Sequence, residues 1–260
     1  MTDRLFAVIG EDGRQAAAAR ALARAGCQVG GIGQIARAGY ILLPMPLDDQ
    51  VAGLLRAARP GAVALAGRPS ERAARIAADA GVELVDYYAR PELVIRNAIP
   101  TAEGCIGILL EKRPRTLWGA RVGVTGYGPV GQALAPRLTA LGARVTVAAR
   151  RASQRALAQS QGAGAVPLSG LRQVAAGFDI LVNTVPAPVV GRQVLEALPP
   201  DSLTVDLASA PGGVDLGAAA ALGRRAMTAP GLPARCAPDS AGEYVAQTVL
   251  EILREREVAE

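Results

Sequence analysis

The chemistry most readily read from this chain lies in six residues, Gly126-Tyr127-Gly128-Pro129-Val130-Gly131. They follow the apolar run Val122-Gly123-Val124-Thr125 and open a stretch with helical character that continues to about Leu141. Strand, glycine turn and helix in that order make a phosphate-binding loop. Gly126 permits the tight turn, Gly128 lets the backbone approach a pyrophosphate, and Gly131 allows helix to pack closely on strand. Pro129 and Val130 complete the loop. The pyrophosphate is expected at the helix N-terminus, where free N–H groups and the macrodipole favour negative charge. The same spacing also suits a glycine-rich turn without a ligand, so the place of the motif between strand and helix is what gives it meaning.

The end of the following strand selects the dinucleotide. A site for NAD usually ends that strand in Asp or Glu, which holds the ribose 2′-hydroxyl. Here the run is Val147-Ala148-Ala149-Arg150-Arg151-Ala152-Ser153. No carboxylate is present to repel a 2′-phosphate. The guanidinium groups of Arg150 and Arg151 can clamp one, and Ser153 adds a hydroxyl at the next helix start. NADP is the expected cofactor; the alternative is a pair of solvated arginines.

Ligands of open α/β sheets lie beyond the carboxyl edge of the strands. Later strands end in Asn183-Thr184-Val185-Pro186, in Asp206-Leu207-Ala208-Ser209-Ala210-Pro211-Gly212-Gly213 and in Pro230-Gly231-Leu232-Pro233. Converging on one edge, these stretches are expected to wall a ligand cleft. Asn183, Thr184, Val185, Pro186, Leu207 and Ala208 join the cofactor set. Pro, Gly, Asn and Ser are also ordinary turn residues, so any one stretch alone reads as turn chemistry.

What is missing narrows the chemistry further. The 260 residues contain no histidine, which removes every His base, triad and His-ligated metal. Cys27, Cys105 and Cys236 lie far apart without metal-ligand spacing, so no metal is expected and a reducing compartment is the simplest reading. Lys112 is the only lysine, and the arginines behind the net charge of +5 are scattered, leaving no continuous basic stripe for nucleic acid. An aromatic share of 3% also argues against stacking platforms. Arg, Asp, Gly or Pro interrupts every apolar run before the roughly 20 residues of a bilayer span. The chain opens directly into Leu5-Phe6-Ala7-Val8-Ile9, so a cytoplasmic, membrane-free protein is expected.

Short apolar runs alternate with Ala-rich helical stretches throughout, the pattern of parallel sheets covered by helices. The fold class is α/β, with an N-terminal flavodoxin-like parallel-sheet domain and a C-terminal doubly wound Rossmann domain. In the first domain, strands are expected at Leu5–Ile9, Gln28–Gly31, Tyr40–Leu43, Ala62–Leu65 and Glu83–Val85, with clear helices at Arg14–Ala25 and Ser70–Ala80. The helical segment from Pro91 to Leu110 is expected to break at Pro100, because proline cannot continue the hydrogen-bond ladder. That break sets the domain junction. Strands at Arg121–Thr125, Arg144–Ala149, Ala165–Pro167, Ile180–Asn183, Leu203–Asp206 and Arg225–Thr228 then make the second sheet. The expected division is 1–100, 101–240, and a last helix, about Ala241–Leu253 within 241–260, returning to pack on the first domain.

The stretches Arg96-Asn97-Ala98-Ile99-Pro100-Thr101-Ala102-Glu103-Gly104, Val205 to Gly213 and Ala229 to Pro238, with the opening Gly10-Glu11-Asp12-Gly13-Arg14-Gln15, resemble signature segments of the dipicolinate synthase A-subunit family. The resemblance runs in order along nearly the whole chain. It implies NADP-dependent oxidation of dihydrodipicolinate, or its hydroxy-tetrahydro precursor, to dipicolinate in the mother cell of a sporulating bacterium. It also implies partnership with a flavoprotein-like B subunit, which leaves room for a homodimeric core. Two departures stand out: Glu11 lies in a loop expected to be richer in Gly, and Ala210 where Lys is expected, so no substrate contact is carried over at 210.

If the resemblance holds, a hydride and a proton leave the ring, and aromatisation supplies much of the driving force. Glu103 and Ser209 are the catalytic candidates, with Glu103 as base or water-orienting group. Its alternative reading is a helix-start carboxylate complementing the dipole behind a Thr101 N-cap. Asn97, Thr101, Ser209 and Arg235 lie in the matched segments as donors for the dicarboxylate substrate, and Arg14, at the start of a helix, is a further one. Two rival readings stay open. One is another two-domain NADP dehydrogenase; the other is a nucleotide-binding, non-catalytic subunit.

Overall fold

The computed structural model of the chain describes residues 4–259. The chain divides into two compact units, residues 1–97 with 237–260, and residues 98–236. The first unit holds β1 (Leu5–Val8), α1 (Gly13–Arg24), β2 (Gln28–Gly30), β3 (Tyr40–Leu42), α2 (Asp49–Ala52), β4 (Val63–Ala66), α3 (Glu71–Asp79) and β5 (Glu83–Asp86). The strands pair in parallel in the order β2-β1-β3-β4-β5, the flavodoxin-like order. Asp12 starts α1 by accepting from the N–H groups of Arg14 and Gln15 at 2.9 and 3.2 Å, which satisfies donors a helix start leaves free.

The chain then enters α4 (Pro91–Lys112). Contrary to the sequence expectation, α4 is one continuous helix with Pro100 inside it. A proline in a helix interior costs about 3 kcal/mol through one lost hydrogen bond and a clash. Burial of Ala98, Ala102, Cys105 and Leu109 along one side offsets that locally, since fully burying Leu109 alone contributes roughly 1.5–3 kcal/mol and the smaller side chains add to it. The expectation of no membrane-length apolar run is corrected too. By length and composition α4 is long and apolar enough, with a mean hydropathy of 1.4 over 18 residues. Ala102, Cys105 and Leu109 belong to a protein core, which accounts for part of that apolarity, while Ile95 and Leu110 of the same helix are exposed.

The second unit continues with β6 (Arg121–Thr125), α5 (Pro129–Ala140), β7 (Arg144–Ala149), α6 (Ala152–Ser160), β8 (Gly164–Pro167), α7 (Leu171–Ala175), β9 (Ile180–Asn183), α8 (Arg192–Ala197), β10 (Leu203–Asp206), α9 (Leu216–Ala221), β11 (Arg225–Thr228) and α10 (Leu232–Cys236). Its six parallel strands run β11-β10-β9-β6-β7-β8, the doubly wound Rossmann order. Every residue of β9 and β10 is buried, as central strands covered on both faces must be. Alternation assigns the two faces: Ile180 and Val182 pack with Val122, Val124 and Leu134, while Leu181 packs with Phe178, Leu171 and Leu195.

The last helix, α11 (Pro238–Ala259), lies in the first unit and is longer than its apolar periodicity indicates. Pro238 opens it, where a missing N–H carries no penalty. Gly242 lets α11 lie directly on α1: a Cβ there would fall 2.2 Å from the Arg14 carbonyl oxygen and 2.6 Å from Ala17 Cβ.

Candidate functional site

The carboxyl edge of the second sheet is tied together from below. Thr125, Asn183 and Asp206 end three neighbouring strands and are at most 2% exposed. Thr125 Oγ1 donates to Asn183 Oδ1. Asn183 Nδ2 donates to Asp206 Oδ1 at 2.7 Å and to the Val185 carbonyl at 2.9 Å. The Asp206 carboxylate also accepts from the N–H groups of Ala208, Gly213 and Val214 at 3.0, 2.8 and 3.0 Å. Buried polar groups are tolerable only when paired in this way. The stretch Gly212-Gly213, legible in sequence only as a turn, has a steric reason here: a Cβ on Gly213 would lie 2.4 Å from both Asn183 Nδ2 and the Val185 carbonyl oxygen.

Above this network sits the glycine loop. Gly126 has φ +85, and a Cβ there would fall 2.6 Å from Thr184 Oγ1. Gly131 is buried, and its Cβ would come within 2.5 Å of the Gly126 carbonyl oxygen, so helix and loop touch through backbone. Tyr127, fully buried, anchors the loop, donating through its hydroxyl to Gln161. Its carbonyl accepts from Gln132 Nε2 at 2.9 Å and Gln154 Nε2 at 3.2 Å. Gly128 is the N-cap of α5 with no side-chain cap, so the first N–H donors of a 12-residue helix are left for another acceptor. A Cβ at Gly128 would meet nothing within 4 Å.

A cavity of about 450 Å³ opens at this point, within the range of small-molecule and cofactor sites. Among the sequence-predicted residues, Gly126, Gly128, Pro129, Val130, Arg150, Thr184, Val185 and Pro186 line it together. Tyr127, Ala148, Gln154, Leu168, Ala187 and Val189 line it as well. Arg150, Arg151 and Ser153 are exposed around the start of α6, whose N-cap, Arg151, makes no side-chain cap hydrogen bond. Arg155 escaped the sequence reading. Its Nη1 donates to the carbonyls of Ala149 and Arg150 at 3.0 and 2.8 Å and so fixes the turn that presents Arg150. Its only sequence signal was an arginine one turn into α6.

Other expected residues lie elsewhere. Asn183 is fully buried and spends its amide on Thr125, Val185 and Asp206, so its side chain holds the strand ends together. Leu207 and Ala208 are half-buried just past β10, and Ser209 is exposed. Thr101 and Glu103 lie in mid-helix in α4, not at a helix start, because α4 runs through Pro100; the capping alternative for Glu103 falls with that. Glu103 is exposed and 3.9 Å from Arg137 Nε. Asn97 is half-buried in the same helix and Arg235 is exposed on α10. Arg14, in the first unit, is committed through Nε and Nη2 to Asp12 Oδ2 at 3.2 and 2.6 Å, and through Nη2 to the Met45 carbonyl at 2.9 Å. Among the described residues no group of three His, Cys, Asp or Glu could hold a metal.

Residues 109–211 match the family model described as D-isomer specific 2-hydroxyacid dehydrogenase, NAD binding domain. The A subunit of dipicolinate synthase from Bacillus subtilis (strain 168) is 37% identical over 187 residues, which are 71% of this chain and 62% of that protein. The match thus spans less than two thirds of that relative's length. Two solved structures, both of dipicolinate synthase A subunits, are similar along nearly the whole chain. The one from Bacillus subtilis is 29% identical with a TM-score of 0.87, over 100% of this chain and 99% of that one. The one from Bacillus halodurans is 28% identical with a TM-score of 0.87, over 96% and 97%. The second unit is a Rossmann domain of the nicotinamide-dinucleotide-binding kind.

Proposed function

The chain is a homologue of the dipicolinate synthase A subunit, and on that premise we propose that it performs the NADP-dependent oxidation of dihydrodipicolinate, or of its hydroxy-tetrahydro precursor, to dipicolinate. It acts beside a flavoprotein-like B subunit in the cytoplasm of a sporulating cell. The observation that carries the cofactor half is the uncapped start of α5 under the glycine loop, joined to a β7 end that offers Arg150 to the cavity and no carboxylate. The open space above Gly128 fits a pyrophosphate. A nicotinamide dinucleotide held by the glycine loop and the start of α5 would supply the hydride acceptor for this oxidation.

The chain's own residues have three tasks. Gly126, Gly128, Pro129, Val130, Thr184, Val185 and Pro186 hold the dinucleotide, with Gly131 packing beneath and Leu207 and Ala208 on the next strand end. Arg150, Arg151 and Ser153 receive the 2′-phosphate at the uncapped start of α6. Arg14, Asn97, Thr101, Ser209 and Arg235 are the donors for two substrate carboxylates, Arg14 through Nη1. Glu103 takes the proton. Aromatisation supplies driving force, so a strong base is unnecessary. Glu103→Gln is expected to slow turnover by about tenfold, below the usual range for a general base, with NADP affinity unchanged; unaltered turnover removes Glu103 from the mechanism.

Cofactor choice has its own test. Losing one charged contact to a phosphate costs about 1.5–3 kcal/mol, roughly 10- to 150-fold in affinity. Arg150→Ala should therefore weaken NADP by that factor and leave NAD binding as it was. Equal binding of NAD and NADP by the wild type contradicts the assignment. A second reading is favoured by one observation: the residues lining the cavity include no Asp, Glu, Cys or Lys. The chain is then a nucleotide-binding subunit whose chemistry needs its partner. The ultraviolet bands of dipicolinate, followed with the isolated chain, NADP and dihydrodipicolinate, decide between the two.

A further inference from the structure

At the amino edge of the second sheet, opposite the edge that carries the glycine loop, Trp118 stands 79% exposed. Single exposed apolar residues are ordinary, but this one is seated. Gly142, at φ +83, leaves room for the indole, and a Cβ there would lie 2.3 Å from Trp118 Cδ1. The N–H of Gly119 donates to the Gly142 carbonyl at 2.8 Å, and Leu117 is buried in the core, so the loop on both sides of the ring is pinned. Leu141, the residue before Gly142, is also exposed.

The ring borders a depression of about 510 Å³ lined by Arg113, Arg115, Thr116, Trp118, Asp179 and Asp201 among others. Two arginines and two aspartates line it, but one of the carboxylates is already spent. Asp179 is taken by Arg121, at 3.0 Å from Nη2 and 2.8 Å from the backbone N–H. Asp201 is left facing Arg113, which also feels the repulsion of Arg115 and Arg225. Burial holds the Arg113 pKa below its ordinary value, the Asp179 charge opposes that, and the two arginines add to the lowering. An arginine nonetheless stays charged. A rigid Trp among under-neutralised arginines is the composition of an interface hot spot.

We propose that this face is a docking surface for an acidic segment of a different protein chain, the second subunit of the synthase. The partner's existence rests on the function proposed above; the surface itself rests on Trp118 and the arginines. Charge complementarity selects the occupant: a second copy of this chain brings the same excess of +5, whereas a carboxylate-rich segment neutralises Arg113 and Arg115 while an apolar neighbour covers the indole.

The test uses the full-length chain and the purified B-type subunit of the same synthase, with affinity measured at low and high salt. Trp118→Ala and the double variant Arg113→Glu, Arg115→Glu are each expected to weaken binding by at least about tenfold. The variant Arg113→Lys, Arg115→Lys should keep most of it, and all variants should bind NADP like the wild type. Salt and poly-L-glutamate should both compete with the partner. If the wild type and the variants bind the partner equally well, this surface is wrong while the partnership stands. No binding by a wild type that still takes NADP overturns both. A homodimer lost in these variants would hand the face to a second copy and overturn the proposal as well.

Discussion

Gly128→Val is expected to abolish dinucleotide binding, by more than about 100-fold, in a protein that melts within about 0.5 kcal/mol of the wild type. The two halves of that result have separate causes. Gly128 has φ −83 and ψ −167, an extended backbone open to any residue, and a Cβ there would meet no atom within 4 Å. Nothing in the folded chain resists a valine. A pyrophosphate bound at the start of α5 needs that same space, so the side chain displaces the ligand rather than the fold. Gly131→Val is the contrasting variant, because its Cβ would fall 2.5 Å from the Gly126 carbonyl oxygen and backbone must move. It should lose stability and binding together. Thermal melting by circular dichroism and cofactor titration are read side by side; normal NADP binding by Gly128→Val means the phosphate loop is misplaced.

Much of the second unit was legible because its local signals agree with its topology. β6, β9 and β10 are parallel strands buried on both faces, and such strands read as continuous apolar runs. The loop glycines are required by sterics, so their spacing survives in the sequence. α4 was misread because a local rule met a stronger tertiary term: proline disfavours a helix interior, but the core positions on either side of Pro100 are buried together. Placing Glu103 at a helix start was a consequence of that one error. Asn183 shows another limit. A polar residue at a strand end looks the same in sequence whether it faces a ligand or a buried carboxylate on the neighbouring strand. Arg155 was hidden for the opposite reason, since a helix-surface arginine is ordinary until its backbone acceptors are seen.

Asp206→Ala is expected to remove much of the protein's stability, although Asp206 was noticed in sequence only as the end of a strand. Among the described residues no ion pair reaches this carboxylate, which is 2% exposed. Its two oxygens accept hydrogen bonds from Asn183 Nδ2 and the N–H groups of Ala208, Gly213 and Val214. A methyl group leaves those donors without an acceptor. An orphaned buried donor costs about 1–3 kcal/mol. The bonds from Asn183 Nδ2 and the Gly213 N–H are buried, while the N–H groups of Ala208 and Val214 are only part-buried and water can replace the lost acceptor there. The expected loss is therefore about 2–6 kcal/mol, a large share of the roughly 5–15 kcal/mol typical of a folded domain. Asp206→Asn keeps one acceptor oxygen but turns an amide N–H₂ toward N–H groups, so it should fall between alanine and the wild type. The same network carries the loops after β9 and β10, so NADP binding should weaken in Asp206→Asn even where the protein is still folded. Urea unfolding midpoints give the first quantity and titration below the transition gives the second. A loss under about 1 kcal/mol for Asp206→Ala would mean that the loops hold these strand ends in place without the carboxylate.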